Sequence, residues 1–307
     1  MKGRKQDVPE LTAAYGECRA IARREAKNFY YAFVALPEAR RNAICAIYAF
    51  MRQADDLADD ESLSREERRI RLDAWLADWR GVCDGVDSSN RVFLAVRDAV
   101  ERFAIPLTLL NELVGGVTMD LKQEAGDKPD TYATFADLYR YCYLVASVVG
   151  LVCIRIFGYT DSRAEKLAEE TGIAFQLTNI LRDVAEDAAR NRVYLPLEDL
   201  AVHGVSLESL LHRAPGLPPT VQERALLAEI AARAEKFYQS AQALMPLIDR
   251  ESRPALWVLV SIYEGLLKRI ERADYDVFSR RASVPTMEKL GILAVGLARM
   301  GWARMIA

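Results

Sequence analysis

Two short stretches of the chain carry acidic residues at the spacing of helix turns. The first, "RQADDLADD", sets Asp55, Asp56, Asp59 and Asp60 directly after the apolar run "AICAIYAFM". In the second, "GIAFQLTNILRDVAEDAARNRVYLP", Asp183 and Asp187 follow Gln176 and Asn179. An α-helix turns by about 100° per residue, so with Arg52 at zero Asp55 lies at about −60° and Asp59 at about −20°. With Gln176 at zero, Asn179, Asp183 and Asp187 lie at about −60°, −20° and +20°. Each stretch therefore draws a narrow polar stripe along an otherwise apolar helix.

One such stripe is explained by a solvated helix end. Two of them, each preceded by turns of apolar helix, call for a counter-charge. Like charges one turn apart cost a helix a few tenths of a kcal/mol per pair, and a buried unpaired carboxylate costs far more. Carboxylates spaced this way suit a hard divalent cation. Mg²⁺ is held by one or two carboxylates, with water and phosphate oxygens completing its shell. Two acidic patches across a cavity would thus bind a diphosphate through metal ions, with Arg52, Arg182 and Arg192 taking further phosphate oxygens. A diphosphate so held is a good leaving group, and its departure leaves an allylic carbocation. Such a cation persists only in a dry pocket faced with π-systems. Phe29, Tyr30, Tyr31, Phe33, Tyr48 and Phe50 accompany the first stripe, and Tyr139, Tyr141, Tyr143 and Phe175 the second. Aromatics at helical spacing are usually core, so this argument alone assigns none of them to a pocket.

The elements that must position these residues read as helices almost throughout. Periodicity predicts them near 8–26, 37–60, 64–80, 91–103, 106–122, 134–157, 162–188, 219–249, 251–274 and 286–305. Turn residues punctuate the gaps, as in "CDGVDSSN" (83–90), "EAGDKPDTY" (124–132) and "HRAPGLPP" (212–219). Leu36-Pro37-Glu38 reads as a helix start with proline in the first turn. No long low-complexity linker and no fixed-period repeat interrupts the 307 residues. The expected fold is all-α, one domain over 1–307.

Composition narrows the function. A net charge of −3 lacks the basic stripe that a nucleic-acid partner demands. Five cysteines (Cys18, Cys45, Cys83, Cys142, Cys153) without C-x-x-C spacing read as reduced core thiols. Two histidines, His203 and His212, both in a loop-like region, are too few for a histidine zinc site or a Ser-His-Asp triad. The opening "MKGRKQDVPE" has no apolar h-region, and the apolar runs read as shorter than a membrane span needs. A soluble cytoplasmic protein is expected.

The residues also resemble the squalene/phytoene synthase family over roughly 15–285. "NFYYAFVALPEARRNAICAIYAFMRQADDLADD" is similar to the family's first block, with F-Y-Y, L-P, Y-A-F and R-x-x-D-D-x-x-D elements. "YRYCYLVASVVG" resembles its Y-C-x-x-V-A-x-x-V-G segment, and "FQLTNILRDVAEDAARNRVYLP" its second acidic block. "YDVFSRRASVPTMEKL" is similar to the C-terminal signature of bacterial members. The resemblance implies a helical isoprenoid-synthase bundle around a central cavity. It also implies head-to-head (1′-1) condensation of two prenyl diphosphates through a cyclopropylcarbinyl diphosphate. It assigns Asp55, Asp59, Asp183 and Asp187 to Mg²⁺ (Mn²⁺ as the alternative), with Gln176 and Asn179 lining the metal and diphosphate site. Arg52 and Arg192 bind phosphate oxygens in this scheme, and Tyr141 assists deprotonation as the cyclopropane closes. Phe29 belongs to a flap over the site and Tyr263 to a late helix. The family flap commonly reads S-x-S-F, whereas "AKNF" puts Ala26 and Asn28 at the serine positions. Asn28 or Lys27 would have to replace the lost hydroxyls.

Three other readings compete. A terpene cyclase or head-to-tail elongase shares D-D-x-x-D, and Asn179, Asp183 and Asp187 even have the spacing of a cyclase motif. The two blocks with the tyrosine segment favour the head-to-head family. A helical scaffold would have no Mg²⁺-dependent diphosphate release, and a nucleotide pyrophosphatase would need a wetter site. For the substrate, farnesyl diphosphate giving presqualene diphosphate or squalene is the expectation, with NADPH needed only for squalene. Geranylgeranyl diphosphate giving phytoene is the alternative. The apolar end "GILAVGLARMGWARMIA" reads as a packed last helix or as a weak membrane-surface contact. Oligomeric state is not legible.

Overall fold

A computed structural model describes residues 8–60, 62–117, 129–214 and 216–305. Its helices are α1 (Val8–Glu25), α2 (Lys27–Val34), α3 (Glu38–Ala58), α4 (Arg65–Cys83), α5 (Arg91–Phe103) and α6 (Leu107–Val117). Then follow α7 (Phe135–Cys142), a π-helical turn (Tyr143–Ser147), α8 (Val148–Phe157) and α9 (Arg163–Ala189). The chain ends with α10 (Leu197–His203), α11 (Leu207–Leu211), α12 (Val221–Leu244), α13 (Arg253–Arg272) and α14 (Thr286–Met305). Two two-residue strands, β1 (Asp130–Thr131) and β2 (Arg192–Val193), pair in parallel. The all-α expectation holds.

α9 is the axis of the bundle. At 27 residues it is about 40 Å long, and it packs along α12, the π-turn, α8, α13 and α7. Ala168, Ile173, Ala174, Leu177, Ile180, Leu181 and Val184 are buried against these neighbours. The residues left partly exposed in its middle include Gln176, Asn179, Asp183 and Asp187, the stripe read from the sequence, with Phe175 and Arg182 beside them. Gly172 sets the closest approach: a Cβ there would lie 2.6 Å from the Ser147 Cα of the π-turn. Ser147 Oγ completes that contact by donating to the Glu169 carbonyl at 2.6 Å.

α3 is anchored from behind. Phe50 lies about 160° around the helix from Arg52 and is fully buried. Its ring meets Trp75 at 4.7 Å, Trp79 at 5.1 Å and Phe93 at 6.1 Å between centroids. Such pairs contribute about 0.5–1.5 kcal/mol each beyond their buried area. That clamp from α4 and α5 leaves the Arg52–Asp55 face unpacked.

The structure departs from the sequence reading in several places. The α2 helix was not expected; Ala26, at its N-cap, breaks it from α1. The 134–157 helix contains the π-turn, whose backbone fits against α9 only because Gly172 has no Cβ. The run Phe135–Phe157 is, by length and composition, long and apolar enough to cross a membrane, against the expectation. Here parts of it pack on α3, α6 and α9. The 219–249 helix ends at Leu244 and gives way to a 3-10 turn at Met245–Leu247, where Pro246 interrupts the helical pattern. His203 ends α10 rather than a loop, with Nε2 at 2.7 Å from Glu229. The five cysteines are free thiols, as expected, and burial pushes Cys18 and Cys45 up to about 12.

Candidate active site

A cavity of about 550 Å³ opens where the α1–α2 junction, α3, α9, α13 and the start of α14 converge. Ala26 and Phe29 line it from the junction, Tyr48 from α3, Asn179 and Arg182 from α9, and Tyr263 from α13. Arg281, Ala282, Ser283, Val284 and Lys289 close the remaining side. The volume lies within the range of small-molecule sites. Both acidic helices thus reach one chamber.

The apolar part of the wall is aromatic. Tyr263 is buried, stacks on Phe175 at 4.5 Å and meets Phe29 at 5.8 Å. Burial pushes its phenol up and lifts Tyr48 to about 12, so both rings stay neutral at working pH. Asn179 bonds to Tyr263 and donates to Gln176 Oε1 at 3.3 Å. Its Oδ1 is left buried without a partner.

The polar part is charged in both senses. Burial and the adjacent Asp59 push the Asp55 carboxyl up to about 6, offset in part by Arg52, whose ion pair goes to Asp56 at 2.5 Å. Burial and Asp183 push Asp187 up to about 6 as well, with Arg190 and Arg192 offsetting in part. Asp183 differs. Burial would raise it, but hydrogen bonds and charge from Arg182, then Arg281, hold it below the usual carboxylate range.

Among the described residues no group of three or more His, Cys, Asp and Glu side chains could hold a metal by itself. Mg²⁺ needs few carboxylates when a diphosphate and water supply the other oxygens. Two observations fit such a cation. Asp55 and Asp187 are carboxylates short of counter-charge, and the Asn179 Oδ1 is a buried acceptor awaiting a donor or a cation.

Of the residues expected at the site, Phe29, Asn179, Arg182 and Tyr263 line the cavity. Asp183 is tied to that wall through Arg182 Nε and Arg281 Nε, each at 2.8 Å from Oδ1. Asp55 and Asp59 lie two and three turns beyond Tyr48 on the same helix and its C-cap. Gln176 stands one turn back on α9, joined to Asn179. Arg192, expected on phosphate, lies 3.6 Å from Asp130, a pairing set by the β1–β2 register. Tyr141 is not on this wall; it stacks with Tyr194 at 4.9 Å and meets Tyr132, tilted, at 5.4 Å. The Asn28 side chain lies outside the described residues, while Ala26, the other departure from S-x-S-F, is on the wall. Sequence reasoning missed Arg281 and Lys289 as wall residues. The signal was present in "SRRASVPTMEK", a basic pair and a lysine bracketing an extended, proline-ended segment.

A chamber with aromatic walls and a cationic side, bordered by two helices that carry carboxylates further along, can bind an anion with a greasy tail; Asp187 lies with Arg192 in a separate hollow beside Val184 and Tyr194. Comparison with known proteins agrees. The squalene/phytoene synthase family model matches residues 22–288. The chain belongs to the squalene/phytoene synthase family. Its members are prenyltransferases that join two prenyl units head to head. The chain is 37% identical over 306 residues to a 15-cis-phytoene synthase of Synechococcus elongatus, covering 95% of both chains. It is 36% identical to a phytoene synthase of Mycobacterium tuberculosis, covering 95% of this chain and 93% of that one. Among solved structures, a dehydrosqualene synthase–ligand complex superposes with a TM-score of 0.81 at 28% identity, covering 95% and 98%. The squalene synthase HpnC of Alicyclobacillus acidocaldarius gives 0.78 at 26%, covering 88% and 97%. The farnesyl expectation finds less support among these relatives than its geranylgeranyl alternative.

Proposed function

We propose that this squalene/phytoene synthase family member is a Mg²⁺-dependent phytoene synthase. It would join two geranylgeranyl diphosphates into one C40 hydrocarbon with release of two diphosphates and two protons. What supports the substrate is the 37% identity, along the whole chain, to a 15-cis-phytoene synthase. What supports the chemistry is the shared chamber, which gathers aromatic rings, guanidinium groups and two acidic helices. The whole of 1–307 is read as one synthase unit. It works in the cytoplasm, with α14 as the part that meets lipid.

In this reading Asp55 and Asp59 on one side, and Asn179, Asp183 and Asp187 on the other, would hold the metal ions. When bound, Mg²⁺ draws charge from the diphosphate and makes it a leaving group. The chain's own residues do the rest. Arg52, Arg182 and Lys289 take phosphate oxygens. Phe29, Phe175 and Tyr263 shield the allylic cation with neutral π-faces and keep water out. Carbon 1 of one substrate adds across the 2,3-double bond of the other, and a proton leaves as the cyclopropane closes. The family resemblance gives its removal to Tyr141, which stands outside the cavity wall beside Tyr132 and Tyr194. The second diphosphate then departs, the ring opens, and loss of a second proton gives phytoene without any reductant.

The test is incubation of the purified enzyme with each diphosphate in Mg²⁺, with and without NADPH, and identification of the hydrocarbon by mass spectrometry. Phytoene from the C20 substrate, indifferent to NADPH, is expected. A higher kcat/KM on farnesyl diphosphate, with a C30 product, would overturn the assignment.

A further inference from the structure

One carboxylate read as a metal ligand is already occupied. Asp183 Oδ1 accepts from Arg182 Nε at 2.8 Å and from Arg281 Nε at 2.8 Å, and Arg281 Nη2 also lies 2.8 Å away. Its Oδ2 accepts from Arg182 Nη2. Each oxygen thus accepts from a guanidinium group, and the acceptor sites of Oδ1 are filled from both arginines, so a metal that binds through Oδ1 displaces one of them. Arg182 is held within the helix wall, with only 17% of its side chain exposed, whereas Arg281 is 49% exposed.

Arg281 also sits on a short irregular span between two anchors, held besides by Ser279, which donates to Asp276 and Gly216, and by Ala282 packed on the core. Asp274 and Tyr275, both at positive φ, end α13. The chain is then pinned at two buried anchors, Phe278, capped by the Arg213 guanidinium at 3.9 Å, and Val284. Between them residues 279–283 run without regular structure along the cavity wall. On the described residues this span is tied to the facing helix by the Arg281 contacts to Asp183 and, at 3.2 Å, to Glu186.

We propose that Arg281 is a resident counter-cation that occupies Asp183 Oδ1 in the metal-free protein and competes for it with a divalent cation. Metal binding then unfastens the 279–283 span at the cavity wall. Arg281 acts here as a positioning residue, and the inference rests on reading Asp183 as a metal ligand.

The experiment is a titration of Mg²⁺ alone into the full-length, substrate-free protein, followed by the rise in Tm. Replacing Arg281→Gln should lower the Mg²⁺ midpoint by roughly threefold to tenfold, the scale of one half-exposed ion pair. Arg281→Lys should fall between. Arg280→Gln removes the same charge from the neighbouring residue and should leave the midpoint within about twofold. In an Asp183→Asn background, Arg281→Gln should change nothing. In the wild-type protein Mg²⁺ should also speed tryptic cleavage after Arg281. An unchanged or higher midpoint in Arg281→Gln, an equal effect of Arg280→Gln, or no Mg²⁺ response in any variant would overturn the proposal. Turnover of prenyl diphosphates by the wild type in Mg²⁺ is scored separately. An active enzyme whose Arg281→Gln variant binds Mg²⁺ no tighter loses only the counter-cation; an enzyme inactive on every prenyl diphosphate loses the functional reading.

Discussion

The two acidic helices look alike in sequence and differ in electrostatic state. At the end of α3, Asp55 and Asp59 crowd one another, and the nearest arginine gives its ion pair to Asp56. In the second half of α9, Asp183 is gripped by two guanidinium groups while Asp187, one turn on, is not relieved to the same degree. The first patch is poised to take up a cation or a proton. The second has a cation of its own to displace. Identical spacing thus gives one open and one plugged site, because Asp183 is met both by its neighbour Arg182 and by Arg281, 98 positions away in sequence.

The strongest way to break the comparison is to remove one carboxylate from each side. Asp55→Asn and Asp183→Asn should each lower kcat by about 10³-fold or more, some 4 kcal/mol of transition-state stabilisation. Steady-state release of diphosphate measures it. Loss on one side alone would mean that the two patches do not serve one substrate site.

The next effect concerns how each helix is held. Phe50→Ala removes the ring behind α3 and should cost about 3 kcal/mol in urea unfolding. Gly172→Ala puts a methyl 2.6 Å from the Ser147 Cα and should cost about 2 kcal/mol. If Gly172→Ala were neutral, α9 would not be locked to the π-turn, and the register of its polar stripe would need another explanation.

The polar stripe of α9 was legible because its residues lie on one local helix, where spacing fixes direction. The Asp55 face of α3 was legible for the same reason. Phe29 and Tyr263 came from resemblance, and their meeting at 5.8 Å could not be read from periodicity. The α1–α2 break at Ala26 escaped notice because no proline or glycine marks it. The surroundings of Arg192 and Tyr141 could not be read from periodicity, for one reason. A two-residue parallel strand pair, too short for any pattern, carries Arg192 to Asp130 and brings Tyr132 and Tyr194 beside Tyr141.

A smaller effect separates the patches by sign. In EDTA at pH 7.5, Asp55→Asn should stabilise the fold by about 1 kcal/mol, since it removes a buried like-charge contact. Asp183→Asn should destabilise it by a similar amount, because Arg182 and Arg281 lose their acceptor. Thermal unfolding of the two variants decides this. Shifts of the same sign would make the open and plugged sites indistinguishable.

The smallest effect is the pH dependence of the metal-free protein. Asp55 and Asp187 are pushed up to about 6 from 3.8, so between those values the folded chain holds protons that the unfolded chain has released. Stability from these groups is fully present below 3.8, is lost as pH rises through about 6, and is level above that. Asp183, held low, contributes in the opposite sense: its share is present above 3.8 and lost in stronger acid. The difference in unfolding free energy between wild type and Asp55→Asn should therefore be near zero at pH 4 and widen up to pH 7. Mg²⁺ should close much of that gap at pH 7.5 and little of it at pH 5, where protons occupy the carboxylate. A wild-type-to-Asp55→Asn difference that stayed flat from pH 4 to 7 in EDTA would mean that Asp55 finds its counter-charge within the protein, as Asp183 does.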